Sequence, residues 1–349
     1  MAGPVRIAVA GAGMIGRRHI DLIVNDERCL LAGIVDGAPA ARELAGRLGT
    51  PLFGSLAELF AQAKPDGVII ATPNQLHLEH ALACIDAGIS ALVEKPLADT
   101  VEAARRLCEA AERTGVTLLT GHHRQHSAIM REAVAVVRSG KLGRMVAVTG
   151  TALFCKPDQY FHDAPWRTQA GGGPILINMI HEIGNLRALC GEIVEVQALG
   201  SNAVRGFAVE DTAAVSLRFT DGALGTFIVS DTAASARSWE QTSGEDKSYA
   251  SYPDEDCYLI AGTDGSLAVP TMRLKFYADK AERSWWKPFQ TDTLAIDAVN
   301  PLQRQLENFC AVIRGEAAPV VTARDGLQNL RVIEAIKKAV EKGGVVRAG

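Results

Sequence analysis

The 349-residue sequence has no apolar run of 18 or more residues and no excess of positive charge. A membrane-spanning helix needs about 20 consecutive apolar residues, so we expect none in this chain. The formal net charge is −4, whereas proteins that bind nucleic acids need a basic surface to displace counterions. The first residues show no charged segment followed by an apolar stretch, so we expect no signal peptide. We therefore predict neither a membrane nor a nucleic acid as partner.

The cysteines lack any paired spacing such as Cys-x-x-Cys, although there are seven of them. A zinc site or a disulfide framework needs such pairs, so we predict no bound metal and no disulfide scaffold. We expect most of the cysteines to be small buried apolar residues in a protein of the reducing cytoplasm. They are Cys29, Cys84, Cys108, Cys155, Cys190, Cys257 and Cys310.

The first third of the chain alternates strand-like and helix-like segments, which predicts a doubly wound parallel sheet of the Rossmann type. The segment Gly67–Ala71 is nearly all apolar, as expected for a strand covered on both faces. We place this α/β domain at residues 1–122. The predicted strands are Val5–Ala10, Leu30–Asp36, Gly67–Ala71, Ser90–Glu94 and Val116–Gly121.

The remainder, residues 123–349, is predicted to be an α+β domain with a large, mostly antiparallel open sheet. Asp221-Gly222 indicates a hairpin between the strands Thr212–Phe219 and Ala223–Ser230. An open sheet leaves one face uncovered, so we expect a homodimer or a homotetramer. The polar segment 230–256 is either a plain surface loop or an active-site flap.

A Gly-x-Gly-x-x-Gly motif lies between the first predicted strand and the following helix, which is the position typical of a dinucleotide-binding turn. Gly11 permits the tight turn, Gly13 lets the backbone approach a pyrophosphate, and Gly16 lets helix and strand pack closely. Met14 and Ile15 open the helix, whose free N–H groups would face the phosphates. A bound flavin or a purely structural turn is the alternative interpretation.

Asp36 ends the next predicted strand, 20 residues after Gly16. A carboxylate at this position accepts hydrogen bonds from the adenine ribose and repels a 2′-phosphate. The following residues, Gly37, Ala38 and Pro39, offer no arginine for that phosphate. The sequence therefore predicts NAD as cofactor in preference to NADP.

Two later motifs lie at the carboxyl ends of predicted strands, where ligands bind in doubly wound sheets. They are Ala71-Thr-Pro-Asn-Gln-Leu-His77 and Glu94-Lys95-Pro96. With the glycine motif, and with Gly171-Gly-Gly-Pro followed by His181, the chain resembles the glucose–fructose oxidoreductase/inositol dehydrogenase (Gfo/Idh/MocA) family. The resemblance spans nearly the whole chain.

The resemblance implies which residues surround the nicotinamide and what they do. Lys95 would bind the substrate oxygen, stabilise alkoxide character and share in proton transfer, and the bond before Pro96 would be cis. Glu94 would lie beside the ring with Lys95. The residues implied to line the nicotinamide are Thr72, Pro73, Asn74 and His77.

His181, on a predicted helix Gly173–Leu189, is the candidate general base or acid, because imidazole titrates near neutral pH. A structural histidine is the alternative. Members of the family that act on sugars or inositol commonly carry Asp four residues before and three residues after this histidine. Ile177 and Gly184 occupy those positions here. Asn178 could orient the imidazole but brings no charge.

The segment His122–His126 contains three histidines and Arg124, a set that could bind an anion or a metal. The resembled family needs no metal, so we interpret His123 and Arg124 as substrate or nicotinamide contacts. Trp166 and Arg167 add a second cation. Arginine pairs with carboxylates through two hydrogen bonds, which favours a carboxylated hydroxy or dihydrodiol-type substrate. Structural packing of either arginine is the alternative.

Taken together, these residues predict an NAD-dependent oxidoreductase. It would transfer hydride between the nicotinamide and a CH–OH or C=O group of a sugar, a polyol or a carboxylated hydroxy compound, with Lys95 and His181 handling the proton. Two other functions stay open. One is a glycoside hydrolase that uses tightly held NAD, and the other is a non-catalytic NAD-binding regulator.

Overall fold

The computed structural model describes residues 3–296 and 299–349. The chain divides into two compact units. The first comprises Met1–His126 and Leu302–Leu330, and the second comprises Ser127–Pro301 and Arg331–Gly349. No helix within the described residues is long and apolar enough to cross a membrane.

The first unit contains six parallel strands in the order β3-β2-β1-β4-β5-β6. All four residues of β4 are buried, as predicted from their apolar sequence. The predicted doubly wound sheet is therefore confirmed, and β3 is a strand that the sequence analysis did not predict. The elements are β1 (Val5–Ala10), α1 (Met14–Val24), β2 (Cys29–Val35), α2 (Pro39–Leu48), β3 (Leu52–Phe53), α3 (Leu56–Gln62), β4 (Gly67–Ile70), α4 (His77–Asp86), β5 (Ser90–Glu94), α5 (Val101–Thr114) and β6 (Leu118–Gly121).

The second unit is built on a nine-stranded sheet in the order β14-β13-β12-β11-β7-β10-β9-β8-β15. Among the described residues of this sheet, the pair formed by β7 and β10 is the only parallel one, which confirms the prediction of a mostly antiparallel sheet. Its elements are α6 (Ala128–Arg138), β7 (Met145–Leu153), α7 (Asp158–His162), α8 (Ile180–Cys190), β8 (Ile193–Ser201), β9 (Thr212–Phe219), β10 (Leu224–Ser230), α9 (Trp239–Thr242), β11 (Tyr258–Gly262), β12 (Gly265–Val269), β13 (Arg273–Phe276), β14 (Gln290–Thr293) and β15 (Val346–Arg347). Two more helices complete the chain: α10 (Pro301–Ile313), which belongs to the first unit from Leu302 on, and α11 (Ala323–Lys342), which belongs to the first unit up to Leu330.

The hairpin between β9 and β10 forms where Asp221-Gly222 predicted it. The Phe219 N–H donates to the Ala223 carbonyl over 3.0 Å, and the Gly222 N–H donates to the Phe219 carbonyl over 2.9 Å. Gly222 has a φ of 87°, which glycine adopts without steric cost.

Part of the chain near its C-terminal end packs in the first unit. A Cβ on Gly67 would lie 2.5 Å from Ile313 Cδ1 and 2.8 Å from Phe309 Cζ, so α10 lies directly against β4. The Thr120 N–H donates to the carbonyl of Val321 over 3.1 Å. Residues Leu302–Leu330 thus belong to the first unit, although the sequence analysis counted them in the second domain. The boundary between residues 122 and 123 stays a prediction.

The polar segment 230–256 is largely irregular but anchored. Its short helix α9 buries Trp239, whose indole N–H donates to Glu245 Oε2 over 2.9 Å. The Trp239 and Tyr258 rings lie 6.0 Å apart. The choice between a surface loop and a flap stays open.

Candidate active site

The glycine turn after β1 leaves no room for side chains at two of its three glycines. Gly11 has a φ of 91°, and a Cβ there would lie 2.6 Å from the Ala71 carbonyl oxygen. A Cβ on Gly16 would lie 1.9 Å from the Gly11 carbonyl oxygen. A Cβ on Gly13 would meet nothing within 4 Å. Gly11 and Gly16 are therefore required by packing, whereas Gly13 faces open space, as the approach of a phosphate requires.

Helix α1 begins directly after this turn, at Met14. Gly13 occupies its N-cap without a side-chain hydrogen bond, and no acidic residue lies in the first turn. Met14 is 70% exposed and Ile15 is partly exposed. The first backbone N–H groups of α1 are thus unobstructed by a capping side chain, which fits the binding of a pyrophosphate.

Asp36, at the end of β2, is held by two backbone donors. Its Oδ2 accepts from the Ala12 N–H over 2.7 Å, and its Oδ1 accepts from the Ala38 N–H over 2.7 Å. The carboxylate therefore stands beside the glycine turn in a fixed orientation, partly exposed to solvent. This arrangement fits an acceptor for ribose hydroxyls.

The loop after β4 is tied to the loop after β5 by His77. Its Nδ1 lies 2.8 Å from the Pro96 carbonyl oxygen, and its Nε2 lies 2.9 Å from the Thr72 carbonyl oxygen. The ring is only 1% exposed, and burial lowers its pKa. His77 thus holds the two loops together from within the unit, whereas Pro73 is exposed and Asn74 partly exposed.

Lys95 follows β5 and is partly exposed, and the Lys95–Pro96 bond is cis as predicted. Glu94 is buried, and its Oε1 lies 2.8 Å from Nε2 of His19 on helix α1. Burial raises the pKa of Glu94, but the hydrogen bond and charge of His19, with the charge of Lys95, outweigh burial and lower it overall. Glu94 is therefore an ionised carboxylate beside Lys95 at neutral pH.

The segment after β6 places two histidines in environments that disfavour their charged form. Burial, followed by the charge of Arg124, lowers the pKa of His123 to about 3. Burial lowers the pKa of His126 to about 4. Arg124 is only 3% exposed. Both imidazoles are therefore neutral near pH 7, so the positive charge in this segment comes from Arg124.

The predicted helix Gly173–Leu189 differs from the observed one at its start. Residues Ile175–Met179 form a π-helical turn, and α8 begins only at Ile180. Ile177 therefore does not lie one regular α-helical turn before His181, because a π turn contains more residues. Pro174, which has no N–H to donate, precedes the turn.

The glycines before this turn make room for a carboxylate. A Cβ on Gly173 would lie 2.5 Å from Glu210 Oε1, and the same oxygen accepts from the Ile175 N–H over 2.9 Å. Gly173 also has a φ of 80°. A Cβ on Gly172 would lie 2.2 Å from the Arg167 carbonyl oxygen. The glycine run thus lets Glu210 hold the first backbone N–H of the turn that leads to His181.

Asn178 binds Lys156, a residue that the sequence analysis missed. The Lys156 ammonium donates to Asn178 Oδ1 over 2.7 Å and lies 3.8 Å from Asp231 Oδ2. The side chain of Lys156 is 11% exposed. A nearly buried cation therefore contacts Asn178, which lies three residues before His181 and which we expected to orient the imidazole.

His181 itself is 6% exposed at the start of α8. The adjacent Glu182 is fully buried and accepts a hydrogen bond from the Tyr258 hydroxyl. That hydroxyl also accepts from Asn185 Nδ2 over 3.0 Å. The network fixes α8 to strand β11, so the backbone that carries His181 is well anchored.

Arg167 stacks on an aromatic ring. Its guanidinium carbon lies 3.7 Å from the centroid of Tyr160, and its Nη1 donates to the Tyr160 carbonyl over 2.5 Å. Trp166 is 52% exposed. The guanidinium therefore has a packing role, and the residue as a whole is partly exposed to solvent.

Three contact residues escaped the sequence analysis. His19 follows Gly16 by three residues on the buried face of α1, and this helical spacing could have indicated that it points inward. Lys156 and Glu210 lie in irregular segments, where no local pattern identifies a distant partner.

Comparison with known proteins agrees with this geometry. Residues 5–122 match the model described as oxidoreductase family, NAD-binding Rossmann fold, and residues 130–268 match the GFO/IDH/MocA C-terminal domain. The chain is 31% identical to a 1,5-anhydro-D-fructose reductase of Ensifer adhaerens over 304 residues, covering 83% of this chain and 81% of the relative.

A second relative is similar over a shorter stretch. It is a 4-carboxy-2-hydroxymuconate-6-semialdehyde dehydrogenase of a Sphingobium species, 37% identical over 123 residues, which cover 35% of this chain and 39% of the relative. The crystal structure of the WlbA dehydrogenase of Bordetella pertussis, in complex with NADH and UDP-GlcNAcA, has the same fold. Its TM-score is 0.78 at 24% identity, over 99% of this chain and 98% of that one.

The two family models together match more than half of the chain, and they match both the parallel sheet with its glycine turn and the antiparallel sheet. The resemblance seen in the motifs is thereby confirmed, and so is NAD as cofactor. The chain belongs to the Gfo/Idh/MocA family of NAD-binding oxidoreductases.

Proposed function

We propose that the chain catalyses hydride transfer between NAD and a CH–OH or C=O group of a small, carboxylated hydroxy compound or a related sugar or polyol. The observation that carries the proposal is the position of Lys95. It follows β5 directly and is the residue after the ionised Glu94. The glycine turn and Asp36 follow two other strands of the same sheet.

The bound nicotinamide supplies the acceptor or donor of the hydride. In the proposal, the Lys95 ammonium hydrogen-bonds the substrate oxygen and stabilises the negative charge that grows there during oxidation. His181 takes the hydroxyl proton in oxidation and returns it in reduction, because imidazole changes charge near neutral pH. The reaction balances as alcohol plus NAD⁺ giving carbonyl, NADH and a proton.

We propose that NAD is preferred over NADP because of Asp36. The Ala12 and Ala38 amides fix the carboxylate in place, so its negative charge cannot swing away from an incoming 2′-phosphate. The neighbouring residues Gly37, Ala38 and Pro39 are exposed and bring no positive charge.

Two observations support a carboxylated substrate. Arg167 and the Lys156–Asn178 pair place cations in the unit that carries His181. One relative is named as a dehydrogenase of a carboxylated hydroxymuconate semialdehyde, and another as a reductase of an anhydro sugar. The first name favours an acid, and the second keeps a neutral sugar within the proposed class.

We propose that the chain forms a homodimer or homotetramer through the open face of the nine-stranded sheet. Burial alternates along β9 and β10, and the exposed positions include Leu224 and Ile228 on β10 and Leu259 on β11. An exposed apolar face of this kind favours association. Light scattering of the purified protein tests this, because a monomer would have a mass of 37.1 kDa.

A substrate screen tests the catalytic proposal. Hydroxy acids, polyols, dihydrodiols and glycosides are incubated with NAD, and NADH is followed by absorbance. We expect net NADH with a hydroxy acid or polyol, and we expect Arg167→Ala to raise KM for an acid more than for a neutral substrate. Cleavage of a glycoside without net NADH would instead indicate a hydrolase. NADH binding without turnover on any compound, unchanged by Lys95→Met, would indicate a regulator.

A further inference from the structure

Helix α1 and the end of β5 are joined by a buried pair of titratable side chains. The Nε2 atom of His19 lies 2.8 Å from Glu94 Oε1, and the two side chains are 1% and 6% exposed. His19 lies on the buried face of α1, on the same face as Gly16. The helix that starts at the glycine turn therefore also contacts the residue before Lys95.

The second carboxylate oxygen of Glu94 faces the next residue. Its Oε2 accepts from the backbone N–H of Lys95 over 3.2 Å. Gly121, opposite Glu94 on β6, leaves the space that the carboxylate fills, because a Cβ there would lie 3.0 Å from Glu94 Cδ. The carboxylate is thus enclosed by α1, by the Lys95 backbone and by β6.

The charged and titratable groups that face Glu94 are His19 on α1, Lys95 beside it, His123 after β6 and His77 on α4. Burial and the charges of Arg124 and Lys95 lower the pKa of His123 to about 3, and burial lowers the pKa of His77. His123 is therefore neutral near pH 7, and burial disfavours the charged form of His77. The negative charge of Glu94 therefore acts mainly on His19 and Lys95.

We propose that His19 is a positioning residue for the proposed reaction. It holds the Glu94 carboxylate against the backbone of Lys95 and so fixes the orientation and the charge of the Lys95 ammonium. The inference rests on the proposed role of Lys95. In this proposal, helix α1 both faces the dinucleotide phosphates and, through His19, orients the Lys95 ammonium that binds the substrate oxygen.

The first test measures Lys95 without any substrate. The free protein is labelled with acetic anhydride over a range of pH, and the modification of Lys95 is quantified by mass spectrometry, with the exposed Lys64 as internal control. We expect Glu94→Gln to shift the Lys95 midpoint downward by about one pH unit, because the ammonium loses its countercharge. His19→Leu should shift it in the same direction by a smaller amount, because the Glu94 carboxylate is no longer held against the Lys95 backbone. His19→Gln, whose amide can still donate to Glu94, is expected to shift it less. The Lys64 midpoint stays in place.

The second test is a double-mutant cycle on turnover. We expect His19→Leu and Glu94→Gln each to lower kcat about tenfold, with the Kd for NADH, measured by fluorescence, within about threefold of the parent. The double variant should be no slower than the slower single variant, because both changes remove the same pair. Should His19→Leu fail to fold, His19→Gln and Glu94→Gln complete the comparison.

An unchanged Lys95 midpoint in both Glu94→Gln and the His19 variants would overturn the inference, and so would losses that multiply in the double variant. The labelling test does not depend on the proposed reaction. A protein that oxidises no compound in the substrate screen refutes the proposed function, while the Lys95 midpoints still report whether His19 and Glu94 control this lysine.

Discussion

In the first unit the proposed site residues come from five separate loops, whereas in the second unit they surround the start of one helix. The loops follow β1, β2, β4, β5 and β6, and parallel strands gather them at one edge of the sheet. In the second unit the backbone before His181 forms a π turn in place of an α-helix. Glu210 and Lys156 hydrogen-bond to residues of that turn. The first arrangement follows from topology, and the second depends on individual contacts.

This difference explains how each region is held. The loops of the first unit are linked by buried side chains such as His19 and His77, whose ring nitrogens reach across to neighbouring loops. The turn before His181 is held through its backbone, since Gly173 must lack a side chain for Glu210 to reach the Ile175 N–H. Substitutions in the first unit should therefore destabilise the site by removing side-chain hydrogen bonds. In the second unit they should do so by adding a side chain where Glu210 needs the space.

The largest effect expected in the second unit is on His181. We expect His181→Asn to lower kcat about a hundredfold or more, in line with the usual contribution of a general acid–base group. The Kd for NADH should stay near the parent value, because the glycine turn and Asp36 belong to the other unit. Stopped-flow kinetics with the substrate found in the screen gives kcat, and His162→Asn serves as a control on an exposed histidine. Full turnover of His181→Asn would refute the acid–base role of His181 and would indicate a structural histidine.

The next effect concerns Asp36 in the first unit. We expect Asp36→Ala to lower the ratio of kcat/KM for NAD to that for NADP by about tenfold to a hundredfold, because a charged hydrogen-bonding partner is lost and repulsion of the 2′-phosphate ends. Asp36→Asn removes the charge but keeps an acceptor, so it separates the two contributions. Preference for NADP in the parent protein would show that Asp36 does not select the cofactor.

The smallest expected effect is a difference in the free energy of unfolding between alanine variants of two glycines before His181. Both Gly171 and Gly173 have positive φ, but a Cβ on Gly171 would meet nothing within 4 Å, whereas a Cβ on Gly173 would lie 2.5 Å from Glu210 Oε1. Each alanine should cost about 1–2 kcal/mol of backbone strain, and Gly173→Ala should cost about 1–3 kcal/mol more from overpacking. Denaturant unfolding measures the difference. Equal losses for the two variants would mean that Glu210 moves aside without cost.

Much of the first unit follows from local sequence. The strand Ser90–Glu94 was predicted with its observed bounds, and the glycine turn with Asp36 indicated the nucleotide side. In the second unit, the hairpin at Asp221-Gly222 followed from turn chemistry. These features are readable because strand burial, turn geometry and glycine requirements are properties of neighbouring residues.

The missed contacts depend on partners far along the chain. His19 contacts Glu94, 75 residues away, and Lys156 contacts Asn178, 22 residues away. The short outer strands β14 and β15 contain too few residues to show a periodic pattern. The first N–H of the π turn before His181 is held by Glu210, a contact that no periodicity reveals.

The return of residues Leu302–Leu330 to the first unit has a consequence for how the protein is made. The ribosome releases the six parallel strands long before it reaches Phe309 and Ile313, which cover Gly67. Until then the side of β4 that packs against α10 is uncovered. The nucleotide-binding half of the molecule is therefore finished only when synthesis of the whole polypeptide is nearly complete, and a shortened gene that stops after β6 would yield an unfinished product.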